Sequence, residues 1–174
     1  MRKKTRTVHI GGISIGGDAP IAVQSMLNVP IGDLEGNVAQ AKRLEAEGCQ
    51  IVRVTVPGAE DARVVTALKK AVAMPVVADI HFDYRAALAC VEAGVDKIRI
   101  NPGNIGADER VAEVARACRA HGVPIRIGVN GGSLEKEILA KHGGVTPEAL
   151  VESAMYHAAL LEKHDFNDIT KLIS

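Results

Sequence analysis

The sequence has few aromatic residues and no excess of charge of either sign. Aromatic residues make up 2% of the 174 positions and tryptophan is absent, so the stacking platforms with which proteins bind RNA or single-stranded DNA are missing. The 21 basic and 21 acidic residues give a formal net charge of zero, and no overall field attracts a polyanion. We therefore expect no nucleic-acid partner, and any anion site must come from a local cluster.

Targeting segments, membrane spans and common metal or catalytic motifs are also lacking. The basic start leads into Gly11 and Gly12 without the apolar core of a signal peptide, and no apolar run is long enough for a membrane helix. Cys49, Cys90 and Cys118 are too far apart for a zinc motif or a disulfide framework, and we interpret them as small buried residues. There is no P-loop and no nucleophile elbow. These absences predict a cytoplasmic globular protein without a membrane partner or a metal site, and leave the catalytic residues unknown.

Five short β-rich runs alternate with segments of helical periodicity. The runs are residues 21–26, 51–56, 75–80, 97–101 and 124–129, and their starts lie 22 to 30 residues apart. Such alternation predicts parallel strands, and this spacing fits one βα unit of a barrel that needs eight units in about 250 residues. The fold class is therefore α/β, an incomplete TIM-type (β/α) barrel with about five to six βα units.

Residues that favour helix starts and helix ends support these boundaries. Gly48, Gly94 and Gly122 each follow a helical segment and precede a strand, where a left-handed residue ends a helix; Asp83 and the 146–148 segment carry helix-start signals. Two alternating runs around Gly11 and Gly12 predict an N-terminal β-hairpin that closes the lower end of the barrel. After Asn130 we expect a long connection to residue 144, a helix from 148 to about 163, and a sixth strand starting near Phe166.

Three arginines occupy equivalent positions on separate strands. Arg53, Arg99 and Arg126 each stand between two aliphatic residues, so in a strand each arginine points away from the aliphatic face. In a barrel the aliphatic face packs on helices and the other faces the interior. A charged residue that faces water or a salt bridge explains one such arginine, but three at the same phase favour a shared diphosphate-sized anion site.

Further polar residues fall at the carboxyl ends of the same strands, where barrel enzymes build their sites. They are Asp79, His81, Asn101 and Asn130. His81 is a general acid, a phosphate donor or a capping residue, and Asp79 either orients a substrate hydroxyl or pairs with a neighbouring arginine. The glycine-containing loop 101–106 is either a phosphate nest or a plain turn, and we base nothing on Gly103 or Gly106.

Longer ordered segments closely resemble the 4-hydroxy-3-methylbut-2-en-1-yl diphosphate synthase family. The resemblance covers about residues 5–168 and is carried by residues 19–26, 51–54, 77–84, 99–106 and 125–135. It implies an enzyme of the methylerythritol phosphate route to isoprenoids, which reductively converts 2-C-methyl-D-erythritol 2,4-cyclodiphosphate to hydroxymethylbutenyl diphosphate. It also implies that the cyclic diphosphate is contacted by positions matching Arg53, His81, Arg99, Arg126 and Asn130, with Asp79 and Asn101 near its carbon skeleton.

The resemblance implies parts that this sequence does not carry. The family holds a 4Fe-4S cluster with three cysteines and a glutamate in a separate C-terminal domain, which closes over the barrel of the partner in a homodimer, and flavodoxin or ferredoxin is its electron donor. None of those ligands is present, so we expect residues 1–174 to be a partial substrate-binding barrel that binds no cluster and is inactive alone.

Two other interpretations of the sequence remain open: a non-catalytic remnant, and another phosphate-binding barrel enzyme. The match fades after Asp168, where the family's sixth strand continues into a Lys-Ala-Ser motif that Lys171 does not match, which fits a truncated or frame-disrupted product or a shortened record. The chain is then a non-catalytic remnant that folds poorly or associates through open sheet edges. Another phosphate-binding barrel enzyme, similar to dihydropteroate synthases, is the second alternative.

Overall fold

A computed structural model describes residues 5–101, 104–105 and 108–173. The described chain opens with an antiparallel hairpin of β1 (Val8–Ile10) and β2 (Ile13–Ile15). Its turn residue Gly11 has a φ of 53°, a conformation that glycine adopts without a steric penalty. The predicted N-terminal hairpin is confirmed.

Six parallel strands follow and pair in chain order. They are β3 (Gln24–Met26), β4 (Ile51–Thr55), β5 (Val76–Asp79), β6 (Lys97–Ile100), β7 (Ile125–Val129) and β8 (Ile169–Ile173). The five predicted strands are confirmed, each of them shorter than expected. The sixth begins at Ile169 rather than near Phe166, because the preceding helix ends in a turn through Asp165 at a φ of 57° and Phe166 is buried in the core.

Helices connect the strands on one side of the sheet. They are α1 (Leu34–Ala46), α2 (Arg63–Ala71), α3 (Tyr84–Glu92), α4 (Asp108–His121), α5 (Lys136–His142) and α6 (Pro147–Lys163). Asp83 and Thr146 cap α3 and α6 with their side chains, and the three predicted terminating glycines have positive φ. The long connection predicted after Asn130 is present, but it contains a helix that the sequence did not predict, α5, which buries Ile138.

The two faces of the sheet have different cores. Aliphatic residues such as Val52, Ile98 and Ile127 pack with the helices in one large cluster. On the opposite face, Ile10 of the hairpin packs with Ile51 and Val77 near the amino ends of β4 and β5. The hairpin therefore covers the lower end of the inner face, as predicted.

The sheet is open in the described part of the chain. β3 and β8 each have one neighbouring strand there, and the segment at β3 exposes Ile21, Val23 and Met26. This arrangement confirms an incomplete (β/α) barrel. Among the described residues, no helix has the length and apolar character needed to cross a membrane.

Candidate functional site

The three arginines lie side by side on the inner face of the sheet. Arg99 is in register with Asp79 on one side and with Arg126 on the other, and Arg53 pairs with Val77 of the intervening strand. The aliphatic neighbours of each arginine belong to the helix-side core. The alternation of side chains in a strand therefore places the guanidinium groups away from the helices, and this part of the prediction is confirmed.

Asp79 is the centre of the cluster. Its carboxylate, 1% exposed, accepts hydrogen bonds from both Arg53 nitrogens Nε and Nη2 and from Arg99 Nη1, the last at 3.1 Å. His81 Nε2 lies 3.3 Å from Asp79 Oδ2. Burial opposes ionisation of Asp79, but the hydrogen bond from Arg53 and the charges of Arg53 and Arg99 outweigh it, so its pKa lies below the ordinary value. Of the two roles predicted for Asp79, the structure shows the pairing with arginines.

Arg126 is less fully satisfied than its neighbours. Its buried Nε has no hydrogen-bond partner, and neither has the buried Oγ1 of Thr170, which is in register with it on β8. Burial, followed by the charges of Arg53 and Arg99, lowers the pKa of Arg126. An unsatisfied buried guanidinium nitrogen costs free energy unless an acceptor fills the space. This pair of atoms marks a place where an anion oxygen would be stabilised.

A cavity of about 330 Å³ opens at the carboxyl ends of the strands. It is lined by His81, Phe82, Arg99, Asn101, Asn104, Asn130, Gly132 and Ser133. Four of the seven predicted site residues thus line one cavity, and Arg53, Asp79 and Arg126 lie on the same inner face. Pro102, Gly103, Gly106 and Ala107 of the adjoining loop lie outside the described residues.

The turn after β7 orients Asn130. The Asn130 Oδ1 accepts a hydrogen bond from the Gly132 N–H at 3.0 Å, and Ser133 Oγ donates to the Asn130 carbonyl at 3.1 Å across the 3-10 turn Gly131–Ser133. Because the Oδ1 atom accepts within the turn, the amide N–H groups are the donors of the Asn130 side chain.

Sequence reasoning missed two residues of the inner face. Lys97, two positions before Arg99, shares its face and is 3% exposed. Gly128, two positions after Arg126, leaves the space that Arg99 occupies, because a Cβ there would overlap the guanidinium; its carbonyl also accepts a hydrogen bond from Arg99 Nη2 at 3.3 Å. The two-residue period that revealed the arginines also identifies both residues. Lys97 lies two positions before Arg99 on β6, and Gly128 lies two positions after Arg126 on β7.

The cysteines do not form a site. Cys90 and Cys118 are buried, as predicted, and burial raises the pKa of each thiol to about 12, whereas Cys49 is only partly buried. No group of histidine, cysteine or acidic residues in the described ranges is arranged to hold a metal ion. The described residues therefore do not fit an iron-sulfur cluster.

The fold and the inner face define a class: a (β/α)-barrel domain with clustered arginines on the inner face and a cavity at the carboxyl ends of its strands. Within this class, the chain belongs to the family described as the GcpE TIM-barrel domain, which matches residues 5–174.

Two similar curated proteins carry the same enzyme name. A protein of Caldanaerobacter subterraneus named 4-hydroxy-3-methylbut-2-en-1-yl diphosphate synthase (flavodoxin) is 57% identical over 169 residues, which cover 97% of this chain and 48% of that protein. A protein of the same name from Macrococcus caseolyticus is 55% identical over 168 residues, covering 97% and 45%. The chain thus spans about half the length of the curated relatives it matches.

Solved structures of low sequence identity share the fold. Dihydropteroate synthase from Xanthomonas albilineans has a TM-score of 0.65 at 19% identity, over 96% of this chain and 64% of that one. A truncated 3-deoxy-D-arabino-heptulosonate 7-phosphate synthase from Thermotoga maritima has a TM-score of 0.63 at 14% identity, over 97% and 56%. At such identities the likeness shows the fold alone. The family match and the named relatives point instead to the diphosphate synthase family, so the dihydropteroate synthase alternative is not favoured.

Proposed function

We propose that this chain is the substrate-binding barrel region of a 4-hydroxy-3-methylbut-2-en-1-yl diphosphate synthase, the name its relatives carry. The proposed ligand is 2-C-methyl-D-erythritol 2,4-cyclodiphosphate, which the whole enzyme opens reductively with two electrons to give hydroxymethylbutenyl diphosphate. Isoprenoid biosynthesis through the methylerythritol phosphate route is the proposed context.

The observation that carries the proposal is the imbalance of charge on the inner face. Arg53 and Arg99 share one carboxylate, Asp79, while Arg126 has a buried nitrogen without a partner. Guanidinium groups held close together repel one another and lose hydration, which is costly without an anion. A diphosphate supplies two negative groups and enough acceptor oxygens for several bidentate arginine contacts.

Each predicted site residue has a role in this proposal. Arg53, Arg99 and Arg126 bind phosphate oxygens, and His81 and Asn130 donate further hydrogen bonds from the rim. Asp79 holds two arginines in position before the ligand arrives, which lowers the entropic cost of binding. Asn101, 2% exposed at the end of β6, contacts the carbon skeleton together with Asp79. The catalytic residues of the reductive step are not assigned to this chain.

The redox chemistry belongs to the proposed whole enzyme. A 4Fe-4S cluster would supply electrons to the ligand, and we propose that three cysteines and a glutamate of a separate C-terminal domain hold it, closing over the barrel of a partner in a homodimer. Flavodoxin, which the relatives' names contain, or ferredoxin would reduce the cluster. This chain contributes binding and orientation, so we expect no turnover from it alone.

Thermal unfolding of the full 174-residue chain with increasing cyclodiphosphate tests the proposal. A ligand that binds only the folded chain stabilises it by about 2.7 kcal/mol when its concentration is one hundred times Kd. We expect a cooperative transition whose midpoint rises with ligand concentration. The rise should vanish in Arg126→Gln and in Arg99→Gln.

Arg43→Gln is the matched control, because Arg43 is exposed on α1 and its loss should leave the response intact. A transition that is insensitive to the ligand, or the lack of any cooperative transition, contradicts the proposal. Either outcome favours the alternative that the chain is a non-catalytic remnant.

A further inference from the structure

Lys97 is a buried cation on the face that carries the arginines. It is the first residue of β6 and lies two positions before Arg99, so both side chains emerge on the inner face. Its strand partner there is Val77, which packs against the hairpin. Lys97 is 3% exposed, an unusual degree of burial for lysine without a charged partner.

No acidic group neutralises Lys97 within the described ranges. Asp79, the carboxylate contributed to the inner face by β5, is already bound to Arg53 and Arg99. The other charged groups that act on Lys97 are cations, Arg126 from β7 and Arg53 from β4. Burial, followed by these two charges, lowers the pKa of Lys97 to about 8.

A packing role alone does not explain the choice of lysine. The amino ends of the neighbouring strands carry the aliphatic residues Ile51 and Val77, which fill the same face and are joined there by Ile10. An apolar side chain at position 97 would pack there without the desolvation cost of an ammonium group. An ammonium that is buried beside two guanidinium groups gains free energy only when negative charge enters the cluster.

We propose that Lys97 is a fourth cation of the anion site, approaching a bound diphosphate from the amino-terminal side of the arginine cluster and contacting its more deeply held phosphate group. This inference rests on the proposed function. The arginines bind through planar, bidentate contacts, whereas the ammonium acts as a compact point charge. Lys97 then adds affinity for a second phosphate group that the rim residues do not reach.

Proton uptake on binding distinguishes Lys97 from the arginines. A nearby dianion favours the charged ammonium and raises its pKa, so above pH 8 the chain takes up a proton when the ligand binds. Arginine remains protonated throughout this range. Each phosphorus of the cyclodiphosphate carries one strongly acidic hydroxyl, so the charge of the ligand does not change there.

Isothermal titration of the full chain with 2-C-methyl-D-erythritol 2,4-cyclodiphosphate, near pH 9 in two buffers of different protonation enthalpy, measures this uptake. We expect the wild type to take up roughly half a proton or more. Lys97→Arg should bind with an affinity within about threefold of wild type and take up much less. Lys97→Met should lose about tenfold or more in affinity, which corresponds to about 1.4 kcal/mol, together with the uptake.

The outcomes separate this inference from the proposed function. If Arg126→Gln abolishes binding while Lys97→Met binds and takes up protons like the wild type, the anion site stands and the role of Lys97 is wrong. If Arg126→Gln and Arg99→Gln also bind like the wild type, the proposed function itself fails. Should Lys97→Met not fold, equal proton uptake by the wild type and Lys97→Arg overturns the inference.

Discussion

At the scale of single residues, Asp79 joins the stability of the chain to its proposed binding role. The carboxylate is almost fully buried and holds Arg53 and Arg99, so neutralising it removes the negative charge that the two guanidinium groups share. Removing one partner of a buried ion pair costs roughly 3 kcal/mol. We expect Asp79→Asn to lower the free energy of unfolding by about this amount at neutral pH, measured by urea denaturation, with Asp18→Asn on the exposed N-terminal segment as the control.

The same contacts determine how the free energy of unfolding depends on pH in the acid range. The pKa of Asp79 is lower in the folded chain than in the unfolded one, so the unfolded chain binds more protons as the pH falls. The stability from Asp79 is therefore complete above the unfolded pKa, near 4, and is lost as the pH falls through the folded value. Asp79→Asn should lack this part of the acid-induced loss, and equal acid curves for the two chains would contradict the assignment.

Gly128 leaves the space in which the Arg99 guanidinium lies. A Cβ at this position would lie 2.7 Å from Arg99 Cζ, and the obstruction is the far end of a flexible side chain, which can move. We expect Gly128→Ala to displace the guanidinium and to weaken cyclodiphosphate binding by about tenfold, with a smaller loss of stability than Asp79→Asn because Arg53 still pairs with Asp79. Gly32→Ala, which has open space around the added Cβ, is the control. Unchanged affinity in Gly128→Ala, measured by isothermal titration, would show that the position of Arg99 is unimportant.

At the scale of secondary-structure elements, α6 anchors the segment that follows the Asn130 turn. His157 on α6 is fully buried, and its Nε2 lies 2.5 Å from Oε1 of Glu135, the residue before α5. Burial lowers the pKa of His157, although Glu135 opposes this effect. The unfolded chain therefore binds more protons than the folded chain below about pH 6.5, and this histidine destabilises the fold as the pH falls.

We expect His157→Gln to reduce the loss of stability between about pH 7.5 and 5.5, because glutamine does not titrate. Urea denaturation midpoints at the two pH values measure this difference. His121→Gln, at an exposed position on α4, should keep the pH dependence of the wild type. A His157→Gln chain with the same pH slope as the wild type would rule out a buried neutral histidine.

The elements also show which parts of the fold the sequence predicts. Strands β4, β6 and β7 follow from short β-branched runs that a glycine precedes, and β5 follows from the valine-rich run 75–80. The inner face follows from the phase of Arg53, Arg99 and Arg126 within their strands. Helix α5 was missed because its seven residues lie between glycine-rich segments, and burial of Ile138 against the core stabilises it. The role of Asp79 as a shared acceptor was also open, since register between strands separated by a helix is a tertiary property.

At the scale of the whole molecule, the open sheet determines how the chain behaves in solution. The edge strands β3 and β8 present backbone groups without a strand partner on one side in the described structure, and such edges favour pairing with another chain. Beside the β3 edge, Ile21 and Val23 have exposed fractions of 81% and 58%. An edge and an exposed apolar patch together predict association that increases with protein concentration.

Sedimentation velocity over a range of concentrations tests this expectation. Val23→Lys places a charge beside the β3 edge, and lysine on edge strands opposes pairing, so this variant should stay monomeric at concentrations where the wild type associates. Val145→Lys changes a valine with a similar exposed fraction of 59% in the segment between α5 and α6, and should associate like the wild type. If both variants reduce association equally, a general increase in charge is responsible rather than the edge. If the wild type stays monomeric at every concentration, the open edge does not drive association.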